Sequence, residues 1–192
     1  MTTVLGVSGF TLIELLVVVG IIAVLAVIAI PNFLEAQTRS KVSRAKADIR
    51  TIATGMEAYA VDQNAYPPNY NTGMYPGITA VTEYLTFAAL TTPIQYLTST
   101  PMDVFAPGPD SPERERYFDY VGYDTVTGQA NSYPPGCPAY WEANGIKWYV
   151  SSRGPDRLIN GLGIMLQEGV AYVYDPTNGT VSAGDFGRGN RG

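Results

Sequence analysis

Residues Phe10 to Ile30 read FTLIELLVVVGIIAVLAVIAI, a 21-residue run in which Thr11 and Glu14 are the polar side chains. At a rise of about 1.5 Å per residue, a helix of this length spans about 30 Å, the thickness of a bilayer hydrocarbon core. The run exceeds the roughly 7–15 residues of a secretory h-region, and no small-x-small cleavage site follows it. Hydropathy alone describes a signal anchor that tethers a periplasmic domain. Glu14 speaks for more than a tether. A carboxylate at full depth costs on the order of 3 kcal/mol on insertion scales, and an intramembrane ionisable group points to function. The sequence offers Glu14 no partner in its own helix. An anchor has no use for such a group, whereas a helix that assembles with copies of itself can pair it with a cation on a neighbour.

Gly9-Phe10-Thr11-Leu12-Ile13-Glu14-Leu15-Leu16 resembles the type IV prepilin processing motif almost letter for letter. The resemblance implies that a membrane-embedded prepilin peptidase cuts between Gly9 and Phe10, that the new amino terminus of Phe10 is N-methylated, and that Glu14 pairs with such a terminus in a growing filament. Electrostatics agrees: in an apolar filament core an amine and a carboxylate are each expensive alone and far less so together. Two further positions fit. Pro31 stands where pilins carry a helix-kinking proline, and Gly20 lies within the stretch that can lose helical order in assembled filaments of this family. A proline removes a backbone hydrogen bond and crowds the preceding turn, so a kink near Val27–Ile30 is expected on local grounds too. The leader, Met1 to Gly9, departs from the family in containing no Lys or Arg. Arg39, Lys41, Arg44 and Lys46 follow the apolar run, a flank that the positive-inside rule would place in the cytoplasm. The specific motif is taken to outweigh that bias.

Beyond the run, Val42, Ala45, Ile49, Ile52, Met56 and Tyr59 recur at steps of three and four, one apolar stripe on a helix with charges around it. No breaker occurs before Tyr66-Pro67-Pro68, so one helix is expected from near Phe10 to about Asp62. Gly55 costs it something without ending it. Glu35 and Arg39, spaced i,i+4, add a few tenths of a kcal/mol. The stripe is expected to pack on the protein's own sheet.

Residues 63–192 are rich in Gly, Pro, Tyr and turn pairs. Asn144-Gly145, between AYWEA and IKWYVSS, signals a hairpin, and Asn178-Gly179 signals a second. Thr127-Gly128 is placed as a third turn, between YFDYVGYDTV and QANSYP. A sheet of about four antiparallel strands on the C-terminal half of the long helix is the expected head. Asn178-Gly179-Thr180 also fits a glycosylation sequon, though a tight turn explains it more simply. Three stretches resemble landmarks of the major pseudopilins of type II secretion: Tyr59–Pro67, Leu90–Leu97 with Pro101–Phe105, and Trp148–Asp156. Major pseudopilins often bind calcium in the loop that follows the last of these. The resemblance implies Asp156, and less directly Asp185, as ligands of a cation that takes six to eight oxygens. Arg157 stands where the family pattern tends to have glycine, and Leu158–Gly169 is apolar, so a turn-capping Asp156 with no metal is the equal reading.

The inventory excludes much chemistry. With no His, the commonest general base and metal ligand is missing, and so are Ser–His and Cys–His nucleophiles. The one cysteine, Cys137, cannot form an intrachain disulfide and is read as a half-buried loop thiol. Gly161-Leu162-Gly163 lacks the third glycine and the βαβ setting of a nucleotide cradle. A net charge of −5 argues against nucleic acid as the primary partner.

The fold expected is α+β and pilin-like. It comprises a leader (residues 1–9), a transmembrane and assembly helix (10–30), its amphipathic continuation (31–62) and a β-rich head (63–192). The function expected is a structural subunit, not an enzyme, of a type IV pilus or a type II secretion pseudopilus. Its partners are copies of itself, the prepilin peptidase, an inner-membrane assembly platform and the membrane itself. Before assembly it is a single-pass inner-membrane protein with a periplasmic head; afterwards it lies in a periplasmic pseudopilus or an extracellular pilus. No cofactor is expected, calcium at Asp156 and Asp185 being the one candidate. The alternative from another class is a membrane-anchored periplasmic binding protein or adhesin that never polymerises.

Overall fold

The computed structural model describes residues 9–67, 87–108, 116–123, 137–158, 174–175 and 186–190. Five elements follow in chain order: helix α1 (Leu12–Gln63), strand β1 (Asp119–Gly122), helix α2 (Cys137–Asn144), strand β2 (Trp148–Ser152) and strand β3 (Phe186–Gly189). The long helix with a small antiparallel sheet is the α+β, pilin-like layout expected. By internal contacts, Met1–Gln37 and Thr38–Gly192 form separate units, and α1 contributes to both.

In the first unit the helix is bare. Its large apolar side chains from Phe10 to Ile30 are 45–80% exposed. Among the described residues α1 is the helix long and apolar enough to cross a membrane. Contiguous apolar surface on this scale requires lipid or another protein to cover it.

In the second unit the predicted stripe forms the core. Val42, Ala45, Ile49, Ile52 and Met56 are buried with Ala53, and Tyr59 packs at the margin. Their partners across the interior include Phe87, Leu90, Phe118, Tyr120, Trp148, Val150 and Phe186. The sheet runs β1-β2-β3, antiparallel throughout, with Tyr120 opposite Val150 and Val150 opposite Arg188. Successive strand residues point to opposite faces, so while Tyr120, Trp148 and Val150 meet α1, Val121 and Tyr149 turn the other way. There they cluster with Trp141 of α2. The head therefore has three layers, α1, sheet and α2, which is why β1 and β2 are buried along their whole length.

The helix ends one residue later than expected. Asn64 adopts φ 54°, the left-handed conformation that stops a helix, ahead of the prolines. Glu57 ties helix to sheet: it accepts from Trp148 Nε1 at 3.0 Å and from the Tyr66 hydroxyl at 3.1 Å.

Two sequence expectations are corrected. AYWEA is not a strand, and Asn144-Gly145 is not a hairpin turn; the segment forms α2, and the pair ends it. Gly145 has φ 60°, its N–H donates to Glu142 O at 3.1 Å, and Ile146 N–H donates to Trp141 O at 2.9 Å. This pair of bonds is a Schellman C-cap, which asks for the same left-handed glycine as a type I′ turn. Cys137 accordingly starts a helix and does not sit in a loop. The sheet has three strands among the described residues, and β1 pairs with β2. The Thr127-Gly128 and Asn178-Gly179 turns lie outside the described residues.

Gly55 has a reason that periodicity did not supply. A methyl group there would sit 2.8 Å from Leu97 Cδ2 and 2.9 Å from its Cγ, and Leu97 is buried. An Ala in a helix interior normally gains about 1 kcal/mol over Gly, but overpacking a filled core costs about 1–3 kcal/mol. Gly55→Ala is therefore expected to lower stability by about 1 kcal/mol in thermal unfolding; a stabilised variant would contradict the close packing of Leu97 on the helix.

Candidate functional site

The N-terminal segment begins with a capping box, Thr11-x-x-Glu14. Thr11 Oγ1 accepts from Glu14 N–H at 3.3 Å, and Glu14 Oε2 accepts from Thr11 N–H at 2.9 Å. The Thr11 hydroxyl also donates to Oε2 at 2.6 Å. Reciprocal bonds of this kind satisfy two of the donors that every helix start leaves over. The expectation that Glu14 has no partner in its own helix is thus corrected by the residue that caps that helix, and the Thr-x-x-Glu spacing is the sequence signal for it. Both donors are neutral, however, and no cation faces the carboxylate among the described residues. Glu14 retains its need for a counter-charge. Around it, Phe10, Ile13, Val17 and Val18 line an open apolar groove on the same helix. Gly9 and Phe10 are exposed and lie ahead of the helix, in no helix or strand. Pro31 lies inside α1, which is helical on both sides of it.

In the head, the two pseudopilin-like landmarks Pro101–Phe105 and Trp148–Asp156 are joined by one buried acid. Asp103 is 4% exposed. Its carboxylate accepts from Phe105 N–H at 2.9 Å, Arg153 N–H at 3.0 Å and the Ser152 hydroxyl at 2.9 Å to each oxygen. Ser152 Oγ in turn accepts from Gly154 N–H at 3.3 Å. Beside this knot the Arg153 guanidinium lies 3.7 Å from Asp119, both side chains about one-tenth exposed. Burial pushes the Asp103 carboxyl above its ordinary value, opposed by these hydrogen bonds and by Arg153. Resemblance marked both landmarks, but Asp103 as the link between them escaped sequence reasoning, because its partners lie about fifty positions away.

Asp156 caps a turn: Leu158 N–H donates to its Oδ1 at 3.1 Å. Arg157, in the position where glycine was the expected residue, has φ 62° and donates its N–H to Gly154 O at 3.1 Å. Asp185 lies outside the described residues. Among the described residues no group of three or more His, Cys, Asp or Glu side chains comes together to hold a metal.

Against this geometry the comparisons with known proteins are direct. Residues 6–30 match the prokaryotic N-terminal methylation motif. The chain is 48% identical over 58 residues to the type IV major pilin protein PilA of Myxococcus xanthus, a stretch that is 30% of this chain and 26% of that protein. It is 45% identical over 60 residues to the type II secretion system core protein G of Pseudomonas aeruginosa, 31% of this chain and 42% of that protein. To the type IV wide pilus major component PilA4 of Thermus thermophilus it is 37% identical over 81 residues, 42% of this chain and 62% of that protein. No solved structure matches the chain. Each of these matches spans less than two thirds of the relative's length. Motif and relatives make the chain similar to type IV pilins and to a type II secretion core protein over less than half of its length.

Proposed function

We propose that this chain is a structural subunit that polymerises into a type IV pilus or a type II secretion pseudopilus. The observation that carries the reading is a bare apolar helix whose first turn bears a carboxylate without a cation, inside a matched methylation motif. A prepilin peptidase removes residues 1–9 by cutting between Gly9 and Phe10, and the freed amine of Phe10 is methylated. While stored, the helix crosses the inner membrane with the head in the periplasm. An assembly platform in that membrane then moves it into the filament, where lipid around the helix is replaced by the same helix of other copies. Glu14 meets the Phe10 amine of a neighbour. The amine supplies what the Thr11 bonds cannot, a full positive charge in a medium where an unpaired ion is expensive. Pro31 leaves the Val27 carbonyl without its helix donor and so lets the helix bend near the end of the apolar run.

Relatives named as pilus components and as a secretion core protein support both kinds of filament; the landmark resemblance in the head favours the pseudopilus, and the extra length around Tyr66–Tyr84 favours a surface pilus. Electron microscopy of material sheared from cells and of material released from the opened periplasm tests the reading: thin filaments that label with antibody to the head are expected in one of the two. Head antigen found only as unassembled subunit in the membrane, in cells with a working assembly platform, would overturn it.

A further inference from the structure

We propose that the cavity bounded by Lys46, Arg50 and Arg188 receives a carboxylate from a second copy of this chain, with Glu142 as the group it takes. This inference rests on the filament reading and adds a contact between heads to the pairing at Glu14. The cavity holds about 220 Å³ and is lined by Lys46, Ile49 and Arg50 of α1 and by Phe186, Gly187 and Arg188 of β3. Three cations face it, and among the described residues no acid lines it.

Lys46 and Arg50 are spaced i,i+4 on the helix, an arrangement that is destabilising for like charges. Arg188, which belongs to the sheet, adds a third charge from the other side. Among the described residues, little relieves them. Lys46 Nζ lies 5.7 Å from the ring centres of Tyr174 and Phe186, a cation–π setting that leaves its charge available. Arg50 and Arg188 form no ion pair among the described residues. Glu57, beyond Arg188 in the adjoining cavity, is already taken by Trp148 and Tyr66. Three like charges around a space wide enough for a carboxylate, with an apolar floor of Ile49 and Phe186, describe an anion site. A guanidinium pair suits a carboxylate through forked hydrogen bonds.

Charge distribution argues that the anion comes from the chain itself. Of its 12 Lys and Arg and 17 Asp and Glu, five cations and one acid fall between residues 38 and 50, leaving seven cations against sixteen acids elsewhere. A basic helix segment and an acidic remainder are complementary between copies. Glu142 is the described acid that fits best. It is exposed on α2, next to the Trp141 that anchors α2 to the sheet, and has no partner among the described residues. Cavity and acid lie on opposite sides of the sheet, one on the α1 layer and one on the α2 layer. A contact between unlike surfaces leaves both free surfaces open to further copies, so it propagates a polymer and does not close a dimer.

The test uses the full chain in cells that assemble wild-type filaments, with sheared filaments measured by immunoblot against equal membrane levels of subunit. Arg50→Glu with Arg188→Glu is expected to reduce filament yield at least tenfold, and Glu142→Arg alone to do the same. All three together in one chain are expected to restore yield to within about threefold, since the pair is only reversed. Each altered chain should keep the wild-type unfolding midpoint, which separates lost contact from lost fold. Wild-type filaments should also shed subunits faster in about 500 mM than in about 50 mM salt, because exposed pairs are screened. Normal filaments from the Arg50 and Arg188 reversal would overturn this contact while leaving the filament reading intact. Failure of the triple reversal to restore yield, with fold preserved, would overturn Glu142 as the partner. Absence of filaments from the wild-type chain would overturn both readings.

Discussion

Glu14→Val is expected to abolish filaments while leaving the subunit in the membrane. The substitution removes the one carboxylate from the apolar run and makes insertion easier, by less than the roughly 3 kcal/mol of a carboxylate at the helix centre because Glu14 lies near one end of the run, so subunit levels in the membrane should not fall. Assembly should suffer for the opposite reason. Each Phe10 amine buried among helices would lose its counter-ion, and stranding one member of a buried pair costs about 3–5 kcal/mol. At about 1.4 kcal/mol per factor of ten, that is a loss of roughly two to three and a half orders of magnitude in association for every subunit added. Glu14→Gln separates the two roles of the side chain. An amide can still accept the Thr11 N–H bond that starts the helix, yet it cannot neutralise an amine. Filament loss with Gln as complete as with Val would assign the effect to charge pairing; normal filaments with Gln would assign it to helix capping. Immunoblots of sheared and membrane fractions provide the readout.

Asp103→Ala is expected to lower the stability of the chain by about 3 kcal/mol, the largest effect predicted for a single side chain of the head. Three donors, Phe105 N–H, Arg153 N–H and the Ser152 hydroxyl, converge on this carboxylate. Each would be left buried without an acceptor, at about 1–3 kcal/mol apiece, partly relieved by water entering the space. For a chain of this size, about 3 kcal/mol corresponds to a fall in unfolding midpoint of roughly 6–12 °C. A pH dependence should accompany it. Because burial raises the folded-state carboxyl above its ordinary 3.8, the native state holds the proton over a window just above that value in which the unfolded state has lost it. Asp103 therefore favours folding most fully below pH 3.8, and that contribution declines as pH rises through the window. The difference in stability between wild type and Asp103→Ala should shrink across the same interval. A variant that unfolds within a degree of wild type would show that the two head landmarks are held together by something other than this acid.

The parts of the fold legible in the sequence were those governed by short-range periodicity. A helical stripe repeats every three to four residues whatever lies opposite, so Val42, Ala45, Ile49, Ile52 and Met56 announced the buried face before their partners were known. The apolar run announced itself by length, and Glu14 by being out of place in it. Where the reading went wrong, one local signal served two structures. Asn144-Gly145 meets the need for a left-handed residue in a hairpin and in a Schellman cap alike, and the five residues AYWEA are too few to tell a helix from a strand by period. What stayed hidden depends on distant partners. Gly55 looked like a tolerated defect until Leu97 was placed against it. Asp103 stood inside a landmark with no role of its own until Ser152 and Arg153 were found to close over it. The basic cavity brings Lys46 and Arg50 together with a residue more than a hundred positions away, and no spacing rule reaches that far.

The claim on which the rest depends is that Phe10 becomes a free, charged amine available to another copy's Glu14. Mass spectrometry of subunits recovered from sheared filaments tests it most directly. The account predicts a chain that begins at Phe10 with a methylated amine. Filament subunits that still carry Met1 to Gly9 would contradict it, because no amine would then exist at that position to meet the carboxylate.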